Sequence, residues 1–106
     1  MEITYQAKDR DLTILLGGDL DHHAVRGAVQ RIERLMEQNM PGKLVFDLKG
    51  LSFMDSSGIA LLIRTKRRAE LMGCTLSVIN IPRQAARVLE TAGMNRYVEL
   101  VPGGEL

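Results

Sequence analysis

The sequence predicts an α/β fold built on a mixed β-sheet. Near the start of the chain, apolar and polar residues alternate, which is the two-residue period of a strand with one buried face. Further along, segments with apolar residues at three- and four-residue steps alternate with short apolar runs, a pattern typical of helices between strands. The element order is therefore ββαβαβα followed by a last edge strand, and right-handed crossovers make the later strands parallel.

Composition and charge fit one folded unit spanning residues 1–106. Hydrophobic residues make up 45% and charged residues 25% of the chain, which is an ordinary globular mixture. The net charge of +1 gives no general reason to bind nucleic acid or acidic lipid. One cysteine, Cys74, excludes an internal disulfide and fits a reducing compartment. With no signal sequence or membrane helix in the pattern, we expect a small soluble, cytoplasmic domain.

The first two predicted strands form a hairpin. Ile3, Tyr5 and Ala7 alternate with polar residues and predict a strand with one buried face. A polar turn at residues 8–11 leads to a second strand at residues 12–16, which Gly17 and Gly18 close. Because the turn is short, the two strands are expected to be antiparallel.

A first amphipathic helix follows Asp21, which is placed to cap it. Its apolar stripe consists of Val25, Ala28, Val29, Ile32, Leu35 and Met36. Pro41 and Gly42 end the segment, and residues 44–48 form a short, central strand. Residues 49–54 are interpreted as a loop.

The second half of the chain repeats the alternation of helix and strand. A second helix is predicted from Ile59 to about Met72, followed by a strand at residues 76–79. Its apolar face is expected to comprise Ile59, Leu62, Ile63 and Ala69. Pro82 suits the first turn of a third helix that runs to about Ala92. Residues 97–101 are predicted to form the edge strand, and residues 102–106 are predicted to be a loose tail.

The most informative stretch is Ser52-Phe53-Met54-Asp55-Ser56-Ser57-Gly58-Ile59, which leads into the second helix. Two hydroxyls and a carboxylate stand there at a helix N-terminus, where free N–H groups and the helix dipole favour negative charge. Gly58 costs a helix about 1 kcal/mol relative to alanine, which suggests close approach by another backbone. Spacing alone favours a simple capping role for Asp55 or Ser56.

A second polar cluster, Asp19-Leu20-Asp21-His22-His23, follows the second predicted strand. Side chains of consecutive helical residues point about 100° apart, so His22 and His23 are poorly placed to share a metal ion. A capped helix start with exposed imidazoles is the stronger interpretation. If the two strands are adjacent and parallel, this cluster lies at the same end of the sheet as Ser56.

Other functional classes find less support in the pattern. A hydrolase with Ser56 or Ser57 as nucleophile lacks the G-x-S-x-G elbow, and its base would have to be one of two adjacent histidines. No phosphate loop is present, which leaves direct nucleotide binding a weaker hypothesis. The basic run Arg64, Lys66, Arg67 and Arg68 is interpreted as a solvated helix face, with contact to an acidic partner as the alternative.

With these motifs, the whole chain resembles the anti-sigma factor antagonists, the small STAS-domain proteins of bacterial partner switching. Residues 52–59 look like the phosphorylation loop of that family, and residues 18–23 are similar to its second motif. The paired histidines are closest to the sporulation branch, the antagonists of the anti-sigma-F factor. Asp19 departs from the family, which more often has glutamate there, but it keeps the charge.

The resemblance implies a STAS-type mixed sheet of four to five strands, with three or more helices mainly on one side. It implies that Ser56 is phosphorylated by an ATP-dependent anti-sigma factor serine kinase, and that a serine phosphatase restores the hydroxyl. The unphosphorylated chain would bind the kinase and thereby release a sigma factor. The implied partner-binding residues are Asp19, Asp21, His22, His23, Asp55, Ser57, Gly58 and Ile59.

On this interpretation the chain is a substrate and a switch rather than an enzyme, and it needs no cofactor or metal. It contacts neither nucleic acid nor membrane directly. The alternative within the same fold is a scaffold subunit of a lipid-transport or stress-signalling complex, in which the loop is only a docking surface. Whether His22 and His23 touch the partner stays open at this point.

Overall fold

The computed structural model describes residues 1–103 and has the predicted α/β class. The strands are β1 (Glu2–Lys8), β2 (Asp11–Leu20), β3 (Lys43–Asp47), β4 (Leu51–Met54), β5 (Thr75–Ile81) and β6 (Glu99–Pro102). The helices are α1 (His22–Asn39), α2 (Ser56–Leu71) and α3 (Arg83–Thr91), with a short 3-10 turn at Met94–Arg96. The fold class is confirmed. The expected count of four to five strands is too low, since the sheet has six strands among the described residues, one of them in the segment that was expected to be a loop.

The sheet is mixed, as the alternation of helices and strands predicts. Its strands lie in the order β1-β2-β3-β5-β6, and β4 pairs with the end of β2. β1 and β2 form the predicted antiparallel hairpin, whereas all other pairs are parallel. Parallel pairing sends the carboxyl ends of β2, β3, β4 and β5 toward one end of the sheet. The residues that follow these strands are therefore brought together there.

The prediction of a loop at residues 49–54 is wrong, because Leu51–Met54 form β4. Only its first and last residues are buried, so the sequence lacks the alternation that marks a longer strand. Gly17 and Gly18 do not end β2 either, since the strand continues to Leu20 and pairs there with β4. Gly18 has a φ of 85° beside a register shift, a bulge conformation that glycine adopts without strain.

The hydrophobic core lies on one face of the sheet. In register across β2, β3 and β5, one row of side chains joins Leu12, Leu44 and Leu76, and the next joins Ile14, Phe46 and Val78. All six are buried. The intervening residues Thr13, Leu15, Val45 and Ile79 are only half-buried. The helices therefore cover mainly one face, as the resemblance implied.

The buried face predicted for β1 is only partly present. Ile3, Tyr5 and Ala7 lie opposite buried residues of β2 and so share their face, as predicted. Only Ile3 is half-buried, while Tyr5 is 45% exposed and Ala7 is exposed. The reason is that β1 lies at the edge of the sheet, beyond the reach of the helices over most of its length.

The predicted helices form, with shifted boundaries and one altered face. Helix α2 begins at Ser56 rather than Ile59. Its buried side includes Leu61 instead of the predicted Ile63, which is 37% exposed. Thr65 is also buried, and its hydroxyl has a partner there, since it donates to the Leu61 carbonyl oxygen 2.9 Å away. Pro82 caps α3 rather than lying in its first turn.

The basic run on α2 is not simply solvated. Arg64 Nε donates to Glu33 of α1 across 2.7 Å, and Arg68 pairs in the same way with Glu37. Both ion pairs join α2 to α1 at the surface, where each contributes little to stability.

The end of the chain differs from the predicted loose tail. Pro102 belongs to β6, and the Gly103 N–H donates to the Ile81 carbonyl oxygen. The rest of the predicted tail, residues 104–106, lies outside the described residues. Among the helices formed by residues 1–103, none combines the length and the apolar character needed to cross a bilayer.

Candidate functional site

The first turn of α2 presents the two serines at the end of the sheet. Asp55 is the N-cap, and its carboxylate accepts from the Ser57 N–H at 2.8 Å. Ser56 is the first helical residue and is exposed, whereas Ser57 is half-buried. The predicted capping role of Asp55 is confirmed. Ser56 is therefore an exposed residue at a helix N-terminus.

The first turn of α1 lies next to this site. Asp21 caps α1, since its carboxylate accepts from the N–H groups of His23 and Ala24 at 3.1 and 3.0 Å. The Asp55 N–H donates to the carbonyl oxygen of Leu20, the last residue of β2. β2 and β4 are therefore adjacent and parallel, and the two polar clusters lie together as predicted.

Electrostatics at the site favour a charged Asp55. The Ser57 N–H that donates to Asp55 is the main reason that the pKa of this carboxyl lies below its usual range. Partial desolvation opposes the shift, while the Ser57 hydroxyl and then His22 strengthen it. His22 and His23 are both exposed, with ring centroids 4.0 Å apart. His22, at the start of α1, thus interacts electrostatically with Asp55, the residue just before Ser56.

This arrangement predicts how the loop responds to pH. Because the folded-state pKa of Asp55 is lowered, the cap is fully present above the usual pKa of aspartate and is lost only as the pH falls through the lower, folded value. We expect the NMR signal of the Ser57 amide to report the protonation of Asp55 as the pH is lowered, with a midpoint below the usual aspartate pKa of about 3.9. A midpoint at or above that usual value would contradict the hydrogen bond between Asp55 and the Ser57 N–H.

Gly58 is required by packing within the chain. A Cβ atom at this position would lie 2.6 Å from Cγ and 2.8 Å from Sδ of Met54, a residue that is 1% exposed. The sequence suggested close approach by another backbone, which is wrong because the neighbour is a side chain. Gly58 is itself buried, so it shapes the site by letting α2 begin directly against β4.

Gln84 holds the strand that leads into the site, although no sequence pattern indicates this role. Its side-chain oxygen accepts from the Met54 N–H at 2.9 Å, and its side-chain nitrogen donates to the Met54 carbonyl oxygen at 2.8 Å. The amide thus bonds the edge of β4 that faces away from β2. Helix α3 is in this way tied to the residue just before Asp55.

Replacing Gln84 with alanine is expected to destabilise the chain by about 1–2 kcal/mol, because two backbone groups of Met54 lose their partners. Gln84→Glu should also destabilise the chain, since a carboxylate still accepts from the Met54 N–H but places its second, negatively charged oxygen against the Met54 carbonyl oxygen. Urea unfolding of both variants, with the exposed Gln30→Ala as the control, measures the effect. Equal stability of Gln84→Ala and the parent would show that water replaces the amide.

Two apolar side chains flank the serines. Phe53 pairs with Asp19 across β2 and β4 and is 43% exposed, an unusual environment for a phenyl ring. Ile59 is half-buried and lines a shallow hollow of about 390 Å³ between α2 and α3. Phe53 was not named as a site residue because its segment was interpreted as a loop, so the sequence did not indicate on which side of a strand its ring lies.

The sequence profile of the STAS domain family matches residues 2–103. The anti-sigma F factor antagonist of Lysinibacillus sphaericus is 31% identical over 87 residues, which cover 82% of this chain and 74% of that protein. The anti-sigma F factor antagonist of Paenibacillus polymyxa is 26% identical over 89 residues, which cover 84% of this chain and 76% of that protein.

Solved structures give the same result. The anti-sigma factor antagonist SpoIIAA in its unphosphorylated form superposes with a TM-score of 0.80 at 26% identity, covering 93% of this chain and 87% of the other. The phosphorylated form of Bacillus SpoIIAA gives a TM-score of 0.71 at the same identity, with 93% and 90% covered. The match over almost all described residues, together with the shared architecture, establishes that this chain belongs to the STAS domain family.

Proposed function

We propose that the chain is an anti-sigma factor antagonist whose partner is an anti-sigma factor serine kinase. The unmodified chain binds the kinase, and a sigma factor is released as a result. Phosphorylation of Ser56 ends the binding, and a serine phosphatase reverses it. The observation that carries this proposal is an exposed Ser56 at the first turn of α2, beside the N-terminus of α1. The names of the relatives, anti-sigma F factor antagonists, support the choice of partner.

The surface around Ser56 has the chemistry of a docking site. Phe53 and Ile59 offer apolar area on either side of the serine, which is the kind of anchor that dominates binding energy. The polar rim comprises Asp19, Asp21, His22 and His23, of which Asp21 is half-buried and the other three are exposed. Asp21 also caps α1 and so positions the two histidines beside the loop.

The local geometry favours Ser56 over Ser57 as the modified residue. Ser56 is exposed, and no atom of it takes part in the cap. Ser57 is half-buried and its N–H is bonded to Asp55, so a kinase reaches its hydroxyl less easily. Asp55, Ser57 and Gly58 then act by building the turn that presents Ser56, while the exposed residues make the contacts.

The effect of phosphorylation follows from charge. A phosphoryl group adds about −1.5 to −2 charge and three acceptor oxygens. Two adjacent helix N-termini stabilise that charge, so the domain keeps its fold. In the interface, the group adds bulk and a desolvation penalty beside the ionised Asp55, so the partner dissociates.

Intact-mass analysis after incubation with ATP and a candidate anti-sigma kinase tests this proposal. We expect one added phosphoryl group on the parent chain and on Ser57→Ala, and none on Ser56→Ala. An unmodified parent, with the kinase shown to be active on another substrate, would favour a STAS scaffold subunit without a phospho-switch. Labelling of Ser56 by a serine-directed probe without kinase would instead favour a nucleophilic enzyme.

A further inference from the structure

β1 is an unprotected edge of the sheet. Within residues 1–103 it pairs only with β2, in continuous register over seven residues and without proline. The opposite edge strand, β6, is protected in the usual way by its short length, a register shift and Pro102. The five residues at the centre of β1, Ile3–Ala7, carry no charge. A strand of this kind is a ready template for pairing with another strand.

The sequence of β1 is complementary to itself in antiparallel orientation. When two copies pair about a two-fold axis through Tyr5, Glu2 of one copy faces Lys8 of the other, and this ion pair occurs twice. Ile3 then faces Ala7, Thr4 faces Gln6, and the two Tyr5 rings meet. Directly opposed residues lie on the same face of the sheet, so each opposite charge and each apolar side chain lies next to its counterpart on the other copy.

A hollow beside β1 supplies space for a second copy. It measures about 390 Å³ and lies between the start of β1 and helix α1, lined by Met1, Ile3, Ala24, Gly27, Ala28 and Arg31. Gly27 is in the middle of α1, where glycine costs about 1 kcal/mol, yet a Cβ there would meet no atom within 4 Å. Nothing in the described part of this chain therefore requires the glycine, and the space above it is open to the close approach of a second copy.

We propose that the chain forms a two-fold symmetric homodimer by antiparallel pairing of β1 with β1 of a second copy. The two sheets join into one, the two exposed Tyr5 rings pack against each other, and Ala7 of each copy lies against Ile3 at the rim of the hollow of the other. Because one short strand supplies the contact, the dimer belongs to the small, weak class of interfaces. Tyr5 pairs with Ile14, about 20 Å along β2 from Leu20, so the surface around Ser56 stays accessible.

Sedimentation velocity on the 106-residue chain tests the dimer, over about 10 µM to about 1 mM at low salt because a small interface binds weakly. We expect a monomer–dimer equilibrium in the parent. Glu2→Lys and Lys8→Glu each place like charges opposite one another twice, which should raise the dissociation constant about tenfold. The double variant Glu2→Lys with Lys8→Glu restores both ion pairs, so it should dimerise like the parent.

A second variant tests the hollow. Gly27→Gln fills it with a better helix former, so we expect about tenfold weaker dimerisation without a lower melting temperature of the monomer. Circular dichroism establishes that each variant is folded. A purely monomeric parent at the highest concentration would overturn the proposal, and so would a dimer that Glu2→Lys leaves unchanged, since that result assigns the contact to another face.

Discussion

A Ser56→Glu variant is expected to bind the anti-sigma kinase at least about a hundredfold more weakly than the parent, a loss of about 3 kcal/mol. The new carboxylate lies next to the ionised Asp55, and the interface has to desolvate both charges. Titration calorimetry with the purified kinase measures the effect. The chain phosphorylated on Ser56 should bind still more weakly, because a phosphate carries more charge than a carboxylate.

Matched variants separate charge from size in that experiment. Ser56→Gln has the same length as the glutamate variant and no charge, so we expect it to retain most of the affinity, and Ser56→Ala to bind like the parent. If Ser56→Gln weakens binding as much as Ser56→Glu, steric exclusion rather than charge ends the interaction. Unchanged binding of Ser56→Glu would contradict a switch at this residue.

Loss of fold does not account for the expected loss of binding. Ser56 is the first residue of α2, and an acidic side chain in a first helical turn stabilises a helix by about 0.3–1 kcal/mol. The Ser56→Glu variant should therefore unfold at the same or a slightly higher urea concentration than the parent. Its backbone chemical shifts should change only near the N-termini of α1 and α2.

The parts of the site that depend on neighbouring residues in the chain could be predicted from the sequence. Asp21 and Asp55 each precede an amphipathic segment, and each caps the expected helix because capping involves only the next two or three residues. The proximity of the two clusters also followed, because parallel strands end on the same side of a sheet. The alternation of helices and strands was sufficient for the fold class.

The parts that depend on distant residues could not be predicted. Gln84 bonds to Met54 across thirty positions, and nothing in the residues around it distinguishes it from an ordinary exposed glutamine. Strand β4 exists because β2 bends at Gly18 and offers it a partner, while its own four residues lack a strand pattern. The exposure of Phe53 has the same origin, since tertiary pairing decides which way a short strand faces.

Gly58 lies between these two cases. A glycine in a first helical turn indicates an unusual contact, but the sequence does not say with what. The contact is with Met54, which comes only four residues earlier and is placed there by the turn between β4 and α2. Met54 is almost completely buried, so its side chain has little room to move away.

We therefore expect Gly58→Ala to destabilise the chain, although alanine is the better helix former. Helix propensity favours the variant by about 1 kcal/mol, while forcing a methyl group into a filled site typically costs about 1–3 kcal/mol. The net effect should be a loss of up to about 2 kcal/mol in urea unfolding. Gly27→Ala in α1 is the matched control: its Cβ has open space, so it should gain up to about 1 kcal/mol.

The double variant Met54→Ala with Gly58→Ala identifies the clash as the cause. Met54→Ala alone removes a buried side chain and should cost about 2–5 kcal/mol. In that background the three atoms nearest to the new methyl group are gone, so Gly58→Ala should become neutral or stabilising, and the two substitutions should couple by at least about 1 kcal/mol. Strict additivity would contradict this account, because Gly58 would then be required for a reason other than Met54. Since the same contact positions the first turn of α2, Gly58→Ala should also slow phosphorylation of Ser56, and Met54→Ala in the same chain should partly restore it.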